Sequence, residues 1–149
     1  MLEKKEFIQV IKNAPLVSID LVICSQDYKL LMGLRVNEPA AGSWFVPGGC
    51  IRKNETLEQA FNRITDDELG KPYAIDNARL LGAFTHHYST NFALEPGIST
   101  HYVVLAYQLQ IDTDQIMFPK VQHSDYRWFG KNDNLEGVHA YSEAYFEFL

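Results

Sequence analysis

The 149-residue sequence suits one domain, expected to span residues 1–149, and its hydrophobic content of 46% is enough for a sizeable core. The net charge is −6 and no basic run occurs, which argues against a nucleic-acid surface and means that an anionic substrate needs local positive charge or a metal ion. The N-terminus has no signal-peptide or membrane-span pattern, and Cys24 and Cys50 lack metal-ligand spacing, so we expect a cytoplasmic protein with free thiols.

The first third of the chain predicts one helix followed by strands. Phe7, Val10 and Ile11 share a stripe, which indicates a short helix over residues 3–13 that ends near Pro15. Runs rich in Val, Ile, Leu and aromatic residues predict strands at 16–24, 29–35 and 44–46.

Asp20 interrupts the apolar run of residues 16–24. A buried carboxylate is costly without a partner, so Asp20 needs either a hydrogen bond or a function. The residues alone leave both alternatives open.

The stretch from Gly48 to Gly70 predicts a loop that runs into a helix. Paired glycines let the backbone fold closely around a ligand, and Thr56 is a suitable N-cap. The helix carries an apolar stripe that we expect to be buried, formed by Leu57, Ala60, Phe61 and Ile64.

The second half of the chain predicts mainly strands. Residues 79–88 and 101–111 are separated by a loop of about ten residues, which indicates a hairpin. Residues 112–122 are expected to be irregular, a strand is expected at 124–130, and a terminal helix is expected from about Tyr141.

The order of charged residues and glycines in the central stretch resembles the Nudix box, the signature of the Nudix hydrolases. Its glycine, first glutamate, arginine, last glutamate and final glycine correspond to Gly49, Glu55, Arg63, Glu68 and Gly70. The chain departs from the box at Ile64, where the family has a glutamate, at Thr65, where it has an apolar residue, and at Asp67, where it has a glutamate. Box carboxylates at helical spacing hold Mg²⁺ ions, so this thinned set predicts fewer bound ions.

This thinning is similar to the atypical Nudix branch of GDP-mannose mannosyl hydrolases, which cut the sugar C–O bond instead of a P–O bond. The resemblance runs from Pro15 to about Tyr145 and includes PLVSIDLVI, GSWFVPGG, THYVVL and QHSDYRWF. It implies an α/β fold, a Nudix-type α/β/α sandwich with a mixed sheet, and a homodimer. The implied reaction is Mg²⁺-dependent hydrolysis of GDP-mannose, and also of GDP-glucose, with water attacking the sugar C1 with inversion.

The candidate metal ligands and the candidate general base lie in the stretch from Gly48 to Gly70 and further along the chain. Glu68 is the strongest candidate ligand for Mg²⁺, and the resemblance adds the backbone carbonyl of Gly48 and the side chain of Gln122, all oxygen donors. His123 has a pKa range suited to a general base, and the resemblance gives it that role.

The remaining candidates divide between the diphosphate and the sugar. The resemblance places Arg35 and Tyr102 on the leaving diphosphate and Asp20 and His86 toward the mannosyl group, with Asp20 stabilising positive charge at the anomeric carbon. Arg63 could be an additional cation or could only orient carboxylates, and that alternative stays open.

One departure concerns the position directly after the glycines, where the resembling enzymes have an arginine. This chain has Cys50, so either catalysis is slower or Arg52 or Lys53 reaches the substrate instead. Two other functions remain as alternatives: a conventional pyrophosphatase that cleaves a P–O bond, which Ile64 argues against, and a non-catalytic binding module, which the retained Glu55, Glu68, Gln122 and His123 argue against.

Overall fold

The computed structural model describes residues 2–116 and 123–149, with the backbone alone described at residues 123 and 124. Within these residues the strands are β1 (Leu16–Cys24), β2 (Leu30–Arg35), β3 (Trp44–Phe45), β4 (Gly48–Cys50), β5 (Arg79–Tyr88), β6 (Thr100–Gln110) and β7 (His123–Phe129). The helices are α1 (Lys4–Asn13), α2 (Leu57–Leu69) and α3 (Ala140–Glu143), with 3₁₀ turns at Ile75–Asn77, Thr113–Gln115 and Ala144–Phe148. No helix in the described ranges is long and apolar enough to cross a bilayer.

The strands form one mixed sheet, as predicted. Its main path runs β3-β2-β1-β6-β5, while β4 pairs with β1 and β7 pairs with β2. The β1–β6 pair is parallel and the other pairs are antiparallel, including the predicted β5–β6 hairpin. The long strand β1 therefore lies in the middle of the sheet and brings Asp20 to its centre.

The sheet has a core on each face because successive side chains of a strand point to opposite sides. Ile19, Leu21 and Ile23 of β1 pack in one cluster with residues of α2. Val22 and Cys24 pack in a second cluster with Tyr145, Phe146 and other residues. Helix α2 thus covers one face and the C-terminal segment covers the other, which is the α/β/α sandwich predicted above.

Helix α2 begins and ends at the capping residues that its sequence provides. Thr56 and Gln59 form a reciprocal capping box, and Gly70 ends the helix with a φ of 83°, a conformation that favours glycine. The expectation that Leu57 is buried was wrong, because it is the first helical residue and is 40% exposed. Burial begins one turn later, at Ala60 and Phe61.

Two other predicted elements differ from the structure. Residues 48–50 form strand β4 instead of a loop, because they pair with residues 18–20 of β1. The predicted terminal helix is one short α-helical segment, α3, followed by the 3₁₀ turn Ala144–Phe148.

Candidate active site

Gly48 of strand β4 is approached by two carboxylate side chains, one from strand β1 and one from helix α2. Its Cα partner across the β1–β4 ladder is Asp20. A Cβ added at Gly48 would overlap the carbonyl oxygen of Ile19 and would lie 3.0 Å from Oδ1 of Asp20. Only glycine therefore allows this close approach between strand β4 and the buried carboxylate.

Glu68 approaches Gly48 from α2. Its side chain is 3% exposed, and its carboxylate is hydrogen-bonded to the backbone of Gly48. Burial raises the pKa of Glu68 from 4.5 to about 7, although the bond to Gly48 and the positive charge of Arg35 oppose this rise. Two of the predicted metal ligands, Glu68 and Gly48, are thus in contact.

Arg35 supplies positive charge at the end of β2. Its Nε donates a hydrogen bond to the carbonyl of Pro39 at 3.0 Å, and its guanidinium carbon lies 6.0 Å from the centroid of the Phe45 ring. Its charge lowers the pKa of both carboxyl groups, Asp20 and Glu68, relative to burial alone. The charge of the arginine therefore acts on both carboxyl groups, and such a charge also favours the binding of an anion.

Asp20 is buried, as its place in an apolar strand predicted, and it has a hydrogen-bond partner. The hydroxyl of Tyr145 donates to its Oδ2 at 2.7 Å. Burial raises the pKa of Asp20 from 3.8 to about 7, and the bond from Tyr145 and the charge of Arg35 moderate that rise.

His86 and Tyr102 are Cα partners on β5 and β6. The His86 ring is buried and stacks on Tyr141 with a centroid separation of 4.0 Å and an interplanar angle of 3°. Burial and the neighbouring His139 lower the pKa of His86 to about 4, so its ring is neutral at pH 7. Burial raises the pKa of Tyr102 to about 12, so its hydroxyl stays protonated and can donate to an anion.

Comparison with known proteins identifies the family. The family model described as NUDIX domain matches residues 14–148. The chain belongs to the Nudix family. The low-salt glycan biosynthesis protein Agl8 of Haloferax volcanii is 42% identical over 144 residues, which is 97% of this chain and 88% of that protein.

Solved structures show the same fold. The MutT Nudix hydrolase from Burkholderia pseudomallei superposes with a TM-score of 0.71 at 25% identity, covering 91% of this chain and 98% of that one. The Nudix domain of Shewanella oneidensis NrtR, solved with ADP ribose, gives a TM-score of 0.66 at 20% identity, covering 98% and 96%.

Two of the three departures from the Nudix box, Ile64 and Thr65, are buried. Ile64 is 1% exposed, and a Cβ added at Gly49 would lie 3.3 Å from it. Thr65 accepts a hydrogen bond from the backbone N–H of Tyr73 at 2.9 Å. Asp67 is exposed, and one oxygen lies 3.8 Å from Nη1 of Arg63. Of the box positions where the family carries glutamates at the end of the helix, Glu68 is therefore the one buried against Gly48.

The Arg63 side chain is held by other residues of the Nudix box. Its Nε and Nη2 donate to the two carboxylate oxygens of Glu55, each at 2.8 Å, and Nη2 also donates to the carbonyl of Cys50 at 2.8 Å. These bonds lower the pKa of Glu55 to about 2. Of the two roles left open for Arg63, these contacts favour orienting the loop and its carboxylate over binding phosphate.

The position after the glycines carries a neutral side chain. Burial raises the pKa of the Cys50 thiol to about 11, so it has no charge at neutral pH. Arg52 and Lys53 are exposed, and the backbone N–H of Arg52 donates to Glu55 Oε1 at 2.7 Å. The structure shows no contact that brings either cation into the site, within the described residues.

The structure adds residues that the sequence did not single out for the site. Besides Tyr145 and Tyr141, the rings of Tyr88 and His139 lie beside it: Tyr88 packs edge-on against Tyr102 at 5.9 Å, and the charge of Arg35 helps lower the pKa of His139 after burial. The aromatic residues at 139–145 could have indicated that the C-terminal segment contributes to the site, but an aromatic stripe in a terminal helix more often belongs to the core.

Two candidate residues lie wholly or partly outside the described residues. Gln122 is not described, and only the backbone of His123 is described. The backbone of His123 begins β7 instead of lying in a loop, and its Cα partner is Arg35 of β2. In the described part of the chain, no three His, Cys, Asp or Glu side chains group closely enough to hold a metal ion.

Proposed function

We propose that this protein is a Mg²⁺-dependent hydrolase that releases GDP and free mannose from GDP-mannose, with GDP-glucose as a second substrate. The observation that carries the proposal is the pair of buried carboxylates at Gly48, on both of which the positive charge of Arg35 acts. Glu68 belongs to the Nudix box, whereas Asp20 approaches from the other side of the glycine. Such a site provides one carboxylate that can bind a metal ion and a second that can stabilise the positive charge developing on a sugar.

The donors at Gly48 fit Mg²⁺. They are oxygen atoms, the carboxylate of Glu68 and the carbonyl of Gly48, and the third proposed ligand, Gln122, also offers oxygen. Burial disfavours the negative charge of Glu68, and a cation would stabilise it. When bound, Mg²⁺ neutralises charge on the diphosphate and so makes GDP a better leaving group.

Arg35 and Tyr102 are proposed to bind the departing diphosphate. The charge of the arginine opposes the rise that burial causes in the pKa of Tyr102, which indicates that the two side chains lie near each other. The protonated hydroxyl of Tyr102 donates a hydrogen bond, while the guanidinium can donate two in parallel. Arg63 supports them indirectly, since its bonds to Glu55 and Cys50 fix the loop that leads into α2.

Asp20 and His86 are proposed to face the sugar. Cleavage of the C1–O bond builds positive charge on the sugar ring, which a nearby carboxylate stabilises. The neutral ring of His86 can hydrogen-bond a sugar hydroxyl without repelling that charge. Arg52 is proposed to contact the substrate at the exposed rim.

The attacking water is proposed to lose its proton to His123. Its backbone position beside Arg35 places this residue at the end of β2 that bears the site. Because the proposed roles include no covalent nucleophile, water attacks C1 directly and the sugar is released with inverted configuration.

The 42% identity to a glycan biosynthesis protein supports a sugar nucleotide as substrate, since such compounds donate sugars in glycan synthesis. The single domain over residues 1–149, the homodimer and the cytoplasmic location are part of the same proposal and rest on the resemblance and composition given above.

Product analysis tests this proposal. The purified protein is incubated with GDP-mannose and Mg²⁺, and the products are separated by chromatography, with a Glu68→Gln preparation as the control for contaminating enzymes. We expect GDP and free mannose. GMP with mannose 1-phosphate would instead identify a pyrophosphatase, and no product from either GDP-sugar would identify a binding module.

A further inference from the structure

The buried carboxylate of Asp20 is held by a residue 125 positions away. Tyr145 lies in the 3₁₀ turn Ala144–Phe148 and is 1% exposed, and its hydroxyl donates to Oδ2 of Asp20 at 2.7 Å. A hydrogen bond to a charged acceptor in a buried environment is among the stronger ones in proteins. The C-terminal segment therefore reaches the centre of the site through a single side chain.

Tyr145 is itself fixed by its surroundings. Its ring packs edge-on against Phe84, with a centroid separation of 5.6 Å and an interplanar angle of 83°. Three residues earlier, the buried hydroxyl of Ser142 accepts a hydrogen bond from the backbone N–H of Val46 at 2.9 Å. The segment is thus attached to the short connection between β3 and β4, just before Gly48, and the direction of the tyrosine hydroxyl is set by packing.

The two oxygens of Asp20 have different surroundings. Oδ2 accepts from Tyr145, while Oδ1 lies on the side of Gly48, 3.0 Å from where a Cβ of that residue would be. Rotation of the carboxylate is soft because its terminal torsion has broad minima. A bond to one oxygen removes this freedom and fixes where the other points.

We propose that Tyr145 is a positioning residue, which holds Asp20 so that Oδ1 stays directed at Gly48 and at the sugar bound beside it. This rests on the function proposed above. Tyr145 touches neither substrate nor metal in this account, so its removal affects turnover and leaves the binding of GDP unchanged.

The first test is Tyr145→Phe, which keeps the ring and removes the hydroxyl. We expect kcat for release of free mannose to fall about tenfold, for the loss of a bond worth about 1.4 kcal/mol in the transition state, with the affinity for GDP and Mg²⁺ unchanged. Tyr107→Phe is the matched control, because Tyr107 is a buried tyrosine of the other core cluster, and we expect it to match wild type. An unchanged kcat in Tyr145→Phe, or an equal loss in both variants, overturns the inference.

The second test is a double-mutant cycle with Asp20→Asn. If Tyr145 acts through Asp20, adding Tyr145→Phe to Asp20→Asn lowers kcat little further. Additive losses show that the tyrosine acts by another route and contradict the inference. Should Tyr145→Phe not fold, 4-fluorophenylalanine at position 145 keeps the ring and nearly fills the space of the hydroxyl without an O–H donor; a kcat equal to wild type then contradicts the inference.

The same cycle measured by unfolding needs no substrate. We expect the effects of Tyr145→Phe and Asp20→Asn on the free energy of unfolding to be non-additive, since the two side chains share one bond. A wild type that releases no free sugar contradicts the proposed function, whereas additive unfolding energies contradict the contact between Tyr145 and Asp20. The two failures are therefore distinguishable.

Discussion

The two halves of the site are held together in different ways. The half formed by the Nudix box uses contacts between residues close in sequence, such as Arg63 with Glu55 eight positions away and with Cys50 thirteen positions away. The half that contains Asp20 and His86 depends on the C-terminal segment. Tyr145 bonds to Asp20, and the Tyr141 hydroxyl donates to the backbone carbonyl of His87, 54 positions away.

This difference matches the proposed division of labour. The box half brings Glu68 to Gly48, the two proposed metal ligands, and its geometry is fixed by one helix and the loop before it. In the other half, Tyr145 and Tyr141 of the C-terminal segment contact Asp20 and His86, which are proposed to face the sugar. In the proposed function, the half that contains Asp20 and His86 directs cleavage to the sugar C–O bond.

His123→Ala has the largest expected effect, because both halves depend on the same attacking water. We predict that kcat falls by about 10²–10⁴ and that the acidic limb of the pH–rate profile disappears, as expected for loss of a general base. His87→Ala, an exposed histidine on β5, is the control. A His123→Ala variant that keeps the acidic limb would assign the base to another residue.

Glu68→Gln tests the box half alone. We predict a loss in kcat of roughly two orders of magnitude or more and a higher Mg²⁺ requirement, because a principal ligand is weakened while the helix keeps its packing. Glu58→Gln, on the exposed side of α2, should behave as wild type. Normal activity with unaltered Mg²⁺ affinity in Glu68→Gln would remove this residue from the metal site.

Much of the box half could be predicted from sequence. Thr56 predicted where helix α2 begins. The resemblance to the Nudix box predicted Gly48 and Glu68 as ligands of one metal ion, and the structure brings these two residues into contact. The partner of Asp20 could not be predicted in the same way. Its burial required a hydrogen bond or a function, but no local pattern pairs it with Tyr145 across 125 residues, since that contact depends on how the C-terminal segment packs on the sheet.

Cys50→Arg asks whether the box half lacks a cation. The neutral thiol contributes no charge, so an arginine there should raise kcat on the order of tenfold by stabilising the departing diphosphate. Arg52→Ala and Lys53→Ala are compared in parallel at saturating Mg²⁺. A slow variant among these two, with Cys50→Arg equal to wild type, would show that a neighbouring cation already supplies the charge.

The smallest expected effect is on stability and involves one carboxylate from each half. Asp20 and Glu68 have a pKa raised by burial to about 7, so near pH 6 the folded protein holds protons that the unfolded chain has lost. The resulting stabilisation is complete below about pH 4 and is lost as the pH rises through about 7. Metal-free protein should therefore show a Tm about 3 °C or more higher at pH 6 than at pH 8.

Thermal unfolding in EDTA measures this difference, and the Asp20→Asn/Glu68→Gln double variant is the control. The lowered pKa values of His86 and His139 oppose the effect of the carboxylates, so the Tm of this control should be lower at pH 6 than at pH 8. A wild-type Tm that is lower at pH 6 than at pH 8 would contradict the burial of these two carboxylates.

Hydrolysis of GDP-mannose in ¹⁸O-labelled water tests most directly which bond is broken, with mass spectrometry locating the label in the products. Attack at C1 puts ¹⁸O on mannose and leaves GDP unlabelled, which is the result we predict from the position of Asp20. Label on a phosphate oxygen would show attack at phosphorus. It would contradict the proposal that the half of the site containing Asp20 and His86 directs cleavage to the sugar.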